Sequence, residues 1–176
     1  MKILSLITTI FCFTAFAGSS LPLDTVDYVD LDRYLGKWYE IASFPQKFQK
    51  GCTATTAEYS KRKDGDIKVI NECRLNSPDG KLKKGIARGW VVDKDTNAKL
   101  KVQFFLRRWR INKFAGNYWI LDLGADYEYA IVGDKSRKYL WFLSRTKKID
   151  DGLYEDLVNK AKDMDFDISK LVKTIH

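Results

Sequence analysis

The segment Tyr34-Leu35-Gly36-Lys37-Trp38-Tyr39-Glu40 decides the fold, together with Leu143-Ser144-Arg145 far downstream. A glycine followed by a Trp-Tyr pair at the start of a strand indicates a barrel with one end plugged. Arg145 ends the last predicted barrel strand, and its guanidinium can lie over the Trp38 ring in a cation–π contact of about 0.5–2 kcal/mol. A barrel plugged at one end and open at the other forms a cup.

Outward from this segment, short runs rich in β-branched and aromatic residues recur, with turn signals such as Asp64-Gly65 between them. They predict eight strands, near 37–44, 53–61, 67–74, 84–92, 98–106, 117–123, 127–133 and 139–145. Apolar residues at helical spacing after Asp150-Asp151 predict one helix over about 151–163, followed by a short terminal strand at 171–175. The predicted fold class is all-β, an eight-stranded antiparallel up-and-down barrel with one flanking C-terminal α-helix.

The first residues have the pattern of a secretory signal peptide. Lys2 precedes an apolar run over 3–16, and Ala15-Phe16-Ala17 fits a cleavage site. We therefore expect a signal peptide at 1–17 and a single domain over 18–176, with a retained anchor as the alternative. Cys12 follows Ile10-Phe11 rather than a small residue, which argues against a lipid-attachment cysteine. The expected location is periplasmic or secreted, with outer-membrane association as the alternative.

Removal of that segment leaves two cysteines, Cys52 and Cys73. An even count in an exported chain favours one disulfide. If residues 61 and 66 pair across the Asp64-Gly65 turn, position 73 lies opposite position 54, whose side chain points to the same face as that of Cys52. A disulfide would then link two neighbouring strands. Two free thiols are the alternative.

The ordered set of motifs resembles the lipocalin family, specifically the bacterial outer-membrane (Blc) group, to which apolipoprotein D is related. It extends over nearly the whole chain beyond the predicted signal, and its segments are 34–42, 57–60, 126–130, 139–145 and 166–170. The resemblance implies an eight-stranded cup that binds hydrophobic ligands such as fatty acids and lysophospholipids. It also implies a carrier or storage role, in cell-envelope lipid maintenance under stress. No cofactor is expected, and with His176 as the only histidine no His-rich metal site is expected either.

Two sets of residues follow from the resemblance and the strand pattern. The residues expected to close the base of the barrel are Gly36, Trp38, Tyr39, Asp126, Tyr127 and Arg145. The residues expected to contact ligand are Tyr59, Trp90, Phe104, Leu106, Tyr129 and Trp141. For strand 84–92 the sequence does not decide which face points inward, because Ala87 and Gly89 could point inward and leave Arg88 and Trp90 outside.

Charge predicts a third set. The chain carries a formal net charge of +8, and basic residues gather in the four loops expected at the open end, 45–52, 75–83, 107–116 and 134–138. The expected basic rim comprises Lys47, Lys50, Lys83, Arg107, Arg108, Arg110 and Arg137, whereas acidic residues such as Asp66 lie in the turns at the base. This rim would attract an anionic headgroup or an anionic membrane. Surface lysines that serve only solubility are the alternative.

Other functions have less support. The only histidine is His176, the last residue, so the sequence does not support a histidine-dependent catalytic triad. Arg107-Arg108-Trp109-Arg110 mixes charge and an aromatic ring as single-strand nucleic-acid binders do, but export and the barrel pattern argue against that partner. A secreted interaction protein with a vestigial pocket, and less so a lipid-acting enzyme, stay as alternatives. The expected partner is a lipid ligand bound by a monomer or homodimer.

Overall fold

A computed structural model describes residues 22–176. The predicted signal peptide at 1–17, including Cys12, lies outside the described residues. The eight predicted barrel strands are confirmed, and their bounds are β1 Gly36–Ser43, β2 Cys52–Lys61, β3 Ile67–Leu75, β4 Leu82–Val91, β5 Lys99–Gln103, β6 Ala115–Leu123, β7 Tyr129–Gly133 and β8 Leu140–Ser144.

The strands close into an antiparallel barrel in chain order. Each strand pairs with the next from β2 to β8, β8 pairs with β1, and β1 pairs with β2. The chain enters β1 at the plugged end, so the β2–β3, β4–β5 and β6–β7 turns lie at that end as well. The loops after β1, β3, β5 and β7 begin at the opposite end.

Two apolar clusters hold the barrel, one on each side of its wall. The inner cluster includes Trp38, Tyr59, Val69 and Leu143. The outer cluster forms where the barrel packs against helix α2, Asp151–Asp163, and it includes Phe142 and Leu157. Because both faces of β7 and β8 are covered, these strands carry large apolar residues at successive positions.

The helical elements are short apart from α2. That helix has the predicted bounds, and the Asp150 side chain caps it by accepting a hydrogen bond from the Leu153 backbone N–H. A four-residue helix, α1 Leu31–Tyr34, precedes β1 and is capped by Asp30, a feature not predicted. Single 3₁₀ turns occur at Lys47–Gln49, Asn112–Phe114 and Ile168–Lys170. Within residues 22–176, no helix has the length and apolar character needed to cross a membrane.

The C-terminal residues fill a seam in the barrel wall. β1 and β2 pair only from Gly36 to Tyr39 and diverge above that level. Strand β9, Val172–Lys173, pairs with β1 there, while the Ile175 carbonyl accepts a hydrogen bond from the Ala54 backbone N–H on β2. The last residues thus complete the wall between the diverging strands.

Cys52 and Cys73 form a disulfide between β2 and β3. The predicted register was wrong by one residue, since Lys61 pairs with Ile67. A bulge between Thr53 and Thr56 shifts the pairing again. The two irregularities bring the cysteine Cα atoms to 5.4 Å, a separation typical of disulfides.

The predicted fifth strand was too long at its end. β5 stops at Gln103, and Leu106 has a φ of 51°, which is incompatible with a strand. The Gln103 side chain is fully buried and donates to the carbonyls of Phe105, Leu106 and Trp109. Its Oε1 accepts from the Ile111 backbone N–H. One glutamine therefore folds the segment 104–111 into a compact turn.

Candidate ligand-binding cavity

The barrel encloses a cavity of about 600 Å³ that opens between the loops opposite the plugged end. Its wall is mainly apolar and aromatic, with a few polar groups nearer the opening. The lining residues include Phe48, Gln49, Tyr59, Val69, Lys83, Lys84, Val102, Phe104, Phe105, Phe114, Tyr118, Tyr139, Trp141 and Leu143. A concave apolar chamber with a small number of placed polar groups is the usual form of a small-molecule site.

Trp38 and Arg145 lie against each other at the end of the barrel where β1 begins. Trp38 is fully buried, and the guanidinium carbon of Arg145 lies 3.8 Å from the centre of its ring. The indole N–H donates to the Tyr34 carbonyl at 2.9 Å. Gly36 has a φ of 92°, and a Cβ there would lie 3.5 Å from an Arg145 nitrogen. The glycine thus permits both the turn into β1 and the close approach of the arginine.

Arg145 also ties the base together through the backbone. Its guanidinium donates to the carbonyls of Arg33, Leu35, Lys37 and Tyr127 at 2.7 to 3.1 Å. One side chain therefore connects α1, the start of β1 and the β6–β7 turn. Tyr127 reinforces this link, because its hydroxyl accepts from the Asp30 backbone N–H at 2.8 Å.

Two of the expected base residues lie elsewhere. Tyr39 is on the opposite face of β1 from Trp38, where its ring meets His176 edge-on at 5.9 Å. Asp126 is exposed and makes only a 3.9 Å ion pair with Arg33. Neither touches the Trp38–Arg145 pair, because strand alternation turns the first outward and the turn projects the second into solvent.

Three tyrosines meet above Trp38, and two of them, Tyr59 and Tyr118, form the floor of the cavity. The Tyr118 hydroxyl lies 2.8 Å from that of Tyr34 and 2.9 Å from that of Tyr59. We call Tyr34, Tyr59 and Tyr118 the tyrosine cluster. Burial raises the pKa of Tyr59 to about 12, and it raises the pKa values of Tyr34 and Tyr118 well above the usual tyrosine value. The three hydroxyls therefore stay protonated at neutral pH.

The structure places three of the six expected ligand contacts on the cavity wall, namely Tyr59, Phe104 and Trp141. Trp90 is buried on the outer face of β4 instead, because Ala87 and the hydrogen of Gly89 face inward towards Val69. Of the two orientations considered for this strand, the structure has the one in which Arg88 and Trp90 lie outside.

Leu106 and Tyr129 are also corrected. Leu106 is 55% exposed, since the chain has already left the barrel wall at Gln103. Tyr129 faces α2, where its hydroxyl accepts from Lys160 at 2.9 Å. Ala130 and Val132 occupy the inward positions of β7, so the alternation places Tyr129 outside.

Sequence reasoning missed several residues of the cavity. Tyr118 pairs with Leu100 across β5 and β6, so an alignment of these two strands would have assigned it to the inner face. Phe48, Phe105 and Phe114 line the opening although 53%, 76% and 51% exposed. They come from irregular segments, where no periodicity indicates direction.

Part of the expected basic rim lies at the opening. Lys83 lines the cavity and donates to the Phe48 carbonyl at 2.6 Å. Lys84 lines it too and forms a 2.8 Å ion pair with Glu72, which lowers the pKa of that carboxyl. Lys47 and Lys50 are exposed on the adjacent loop after β1. These four lysines, Lys47, Lys50, Lys83 and Lys84, are called the mouth lysines below.

The arginines of segment 104–111 fold back over the outer wall of the barrel. Arg110 forms an ion pair with the buried Asp66 of the β2–β3 turn, which Arg88 also contacts. Arg88 further donates to the carbonyls of Arg107 and Arg108, and Arg107 donates to the Ile86 carbonyl. The predicted separation of basic opening and acidic base is therefore wrong at this point.

Arg137 is likewise held away from the expected rim. Its Nε donates to the Met164 carbonyl at 2.6 Å, which joins the β7–β8 turn to the end of α2. The sequence assigned this residue to a loop at the open end but carried no information about its partner.

The described part of the chain contains no group of three or more His, Cys, Asp or Glu side chains arranged to hold a metal ion. Thr55 Oγ1 and Asn71 Oδ1 are buried at the cavity without a hydrogen-bond partner among residues 22–176, whereas several other polar groups there are engaged by neighbours. Glu40, for example, accepts from Gln49 at 2.7 Å and from Thr174 at 2.7 Å. The arrangement is suited to holding an amphipathic molecule.

Comparison with known proteins places the chain in a family. A profile described as "Lipocalin-like domain" matches residues 29–176. The chain is 41% identical over 157 residues to temperature-induced lipocalin-1 of Arabidopsis thaliana, covering 86% of this chain and 82% of that protein. It is 35% identical over 177 residues to the outer membrane lipoprotein Blc of Escherichia coli K12, covering 98% and 96%.

A solved structure shows the same fold at lower identity. Insecticyanin from the tobacco hornworm Manduca sexta superposes with a TM-score of 0.69 at 20% identity, covering 90% of this chain and 87% of that one. The profile match, the relatives and the closed eight-stranded barrel agree with one another. The chain belongs to the lipocalin-like family.

Proposed function

We propose that this protein binds long-chain fatty acids or lysophospholipids in the barrel cavity and carries or stores them. The observation that carries this proposal is the cavity of about 600 Å³, sealed below by Trp38 and walled by aromatic and aliphatic side chains. Membership of the lipocalin-like family supports the same function for small hydrophobic ligands in general.

Burial of the acyl chain would supply most of the affinity. A chain of about 16 carbons gains roughly 12 kcal/mol gross at about 0.8 kcal/mol per methylene, before the costs of ordering are subtracted. An exposed ion pair contributes only about 0–1 kcal/mol. The mouth lysines would therefore set headgroup preference and the rate of approach rather than the overall affinity.

The opening also has the composition of a surface that contacts an anionic membrane. Phe48, Phe105 and Phe114 are exposed around it, and the mouth lysines lie beside them. Exposed aromatic side chains can enter the interfacial region of a bilayer, and lysines there are attracted to anionic lipids. Such contact would let a ligand pass between bilayer and cavity without crossing bulk water.

Export and a role in envelope lipid maintenance under stress complete the proposal. The N-terminal signal pattern and the Cys52–Cys73 disulfide support an oxidising compartment. One relative is named as an outer membrane lipoprotein and another as temperature-induced. These names describe those proteins and support the proposal by similarity.

Native mass spectrometry of protein purified without detergent tests the proposal directly. We expect a mass increase that matches a co-purified lipid, or uptake of added lysophospholipid at one molecule per chain. Protein that carries no lipid and takes up neither lysophospholipid nor fatty acid would instead favour the vestigial pocket.

Tryptophan fluorescence offers a second test with an internal control. Trp141 lines the cavity, whereas Trp38 lies beneath the floor and Trp109 is 59% exposed outside. Lysophospholipid should change the emission of the native protein, and Trp141→Phe should remove most of that change while the mass shift persists. A signal that survives in Trp141→Phe would place the ligand elsewhere.

A further inference from the structure

The tyrosine cluster has one more O–H group than its internal hydrogen bonds use. Three hydroxyls supply three protons, and the two hydrogen bonds through Tyr118 use two of them. Among residues 22–176, the structure gives these hydroxyl groups no other backbone or side-chain partner. Two of the three possible arrangements of these bonds leave the free O–H on Tyr59 or Tyr118, which line the cavity, so a donor at the floor can be offered to a molecule inside it.

The donor lies in mainly apolar surroundings. Tyr59 and Tyr118 line the cavity together with Val69, Val102 and Leu143, and Asn71 lies two residues further along β3, towards the opening. A buried donor without an acceptor carries an unfavourable desolvation cost. A ligand that brought an oxygen atom to this point would remove that cost, whereas a methyl terminus would leave it.

We propose that the floor of the cavity recognises a neutral oxygen at the buried end of the ligand, such as a terminal hydroxyl. The protein would then select amphiphiles that are polar at both ends, with an anionic group at the mouth lysines and a hydroxyl at the tyrosine cluster. This inference rests on the proposed function, because it specifies the ligand class of the same cavity.

The chemistry of the floor favours a neutral oxygen over a carboxylate. An ionised carboxylate needs several donors or a partner charge when it is buried, and the floor offers one spare proton. Arg145 lies behind the Trp38 ring, and its guanidinium already donates to four backbone carbonyls. It is therefore committed to the base and does not face the cavity.

The distance from opening to floor suits a medium or long chain. Lys83 and Ala87 are four residues apart on β4, and Ala87 is level with Tyr59 through Val69. At ~3.3 Å per residue this separation is roughly 13 Å. Both dodecanoic and hexadecanoic acid derivatives are therefore suitable probes.

The test compares fatty acids with and without a terminal hydroxyl. Dissociation constants are measured by isothermal titration for hexadecanoic and 16-hydroxyhexadecanoic acid, and for the dodecanoic pair. We expect the hydroxy acid to bind the native protein about fivefold more tightly in at least one pair, the net gain typical of one hydrogen bond. A purely apolar floor would weaken its binding by roughly tenfold. Hexadecanedioic acid should show no gain over hexadecanoic acid.

The double variant Tyr59→Phe and Tyr118→Phe removes both hydroxyls that face the cavity and keeps the rings. The ratio of its dissociation constants for the hydroxy acid and the unsubstituted acid should show that the preference for the hydroxy acid is lost. Tyr139→Phe is the matched control, because Tyr139 lines the cavity outside the cluster, and it should keep the preference. Thermal unfolding verifies that each variant is folded.

The outcomes separate this inference from the proposed function. Equal or weaker binding of the hydroxy acids by native protein would overturn the inference while leaving fatty-acid binding established. A preference that persists in the double variant would also overturn it. If none of the acids binds, the proposed function fails and the inference fails with it.

Discussion

Replacement of Arg145 by lysine tests whether this side chain holds the base of the barrel. The guanidinium contacts the Trp38 ring at 3.8 Å and donates to four carbonyls on three separate segments. Lysine keeps the positive charge but concentrates its donors at one point, so it cannot reach carbonyls that surround a planar fork.

The expected loss of stability follows from the hydrogen bonds. If lysine keeps two of the four bonds, two charge-assisted bonds are lost, each worth about 1.5–3 kcal/mol when buried. These carbonyls are only partly buried, which places the expected loss at the low end, about 3 kcal/mol. The cation–π contact with Trp38 would weaken without vanishing, because an ammonium group can also lie over the ring.

Urea unfolding followed by circular dichroism measures this loss as a lower midpoint at an unchanged m-value. Arg108→Lys is the matched control, since that guanidinium is exposed and lies 5.6 Å from the Trp109 ring. Its effect should stay within about 0.5 kcal/mol. An Arg145→Lys loss below about 1 kcal/mol would refute the idea that the four carbonyl contacts hold the base.

Three further predictions concern other parts of the barrel. Asp66→Asn removes the negative charge that pairs with the buried Arg88, so the free energy of unfolding should fall by about 3 kcal/mol. Trypsin should also cleave segment 104–111 faster, because Arg110 loses the same partner. Unchanged cleavage would contradict the described role of Asp66. Cys52→Ser with Cys73→Ser opens a link across 21 residues and should cost about 3 kcal/mol by the loop-entropy estimate; urea midpoints under reducing conditions should then match between native protein and variant. Folding raises the pKa values of the tyrosine cluster, to about 12 for Tyr59, so its contribution to stability is complete below the unfolded value of about 10 and is lost as the pH rises through the folded values. The free energy of unfolding should therefore fall by up to about 4 kcal/mol per pH unit above pH 10, and a flat profile between pH 10 and 11 would disprove the burial of these hydroxyls.

The sequence predicted the barrel because its strands carry strong local signals. Turn residues such as Asp64-Gly65 and alternation such as Leu100, Val102 and Phe104 locate strands without knowledge of their partners. The same signals failed to predict the end of β5, because Leu106 continues the alternating pattern in the sequence although the strand stops at Gln103. The buried Gln103 side chain ends the strand through hydrogen bonds, and a glutamine in that position is indistinguishable from a solvent-facing residue in sequence.

The site was harder to predict for two physical reasons. Where α2 covers the outer wall, both faces of a strand are apolar, so periodicity could not tell that Tyr129 faces outward and Trp141 inward. The directions of Arg110 and Arg137 depend on partners distant in sequence, Asp66 and the Met164 carbonyl. Loop membership alone placed both at the opening, and long-range contacts placed them elsewhere.

The seam filled by the C-terminal residues has a consequence for self-association. Without residues 172–176, the upper parts of β1 and β2 would present unpaired N–H and C=O groups to solvent, which is the condition under which strands recruit a second chain. The two-residue strand β9 thus protects the barrel from edge-to-edge aggregation. A truncated or displaced C-terminus would be expected to leave two unpaired strand edges, on β1 and β2, that can pair with strands of a second molecule.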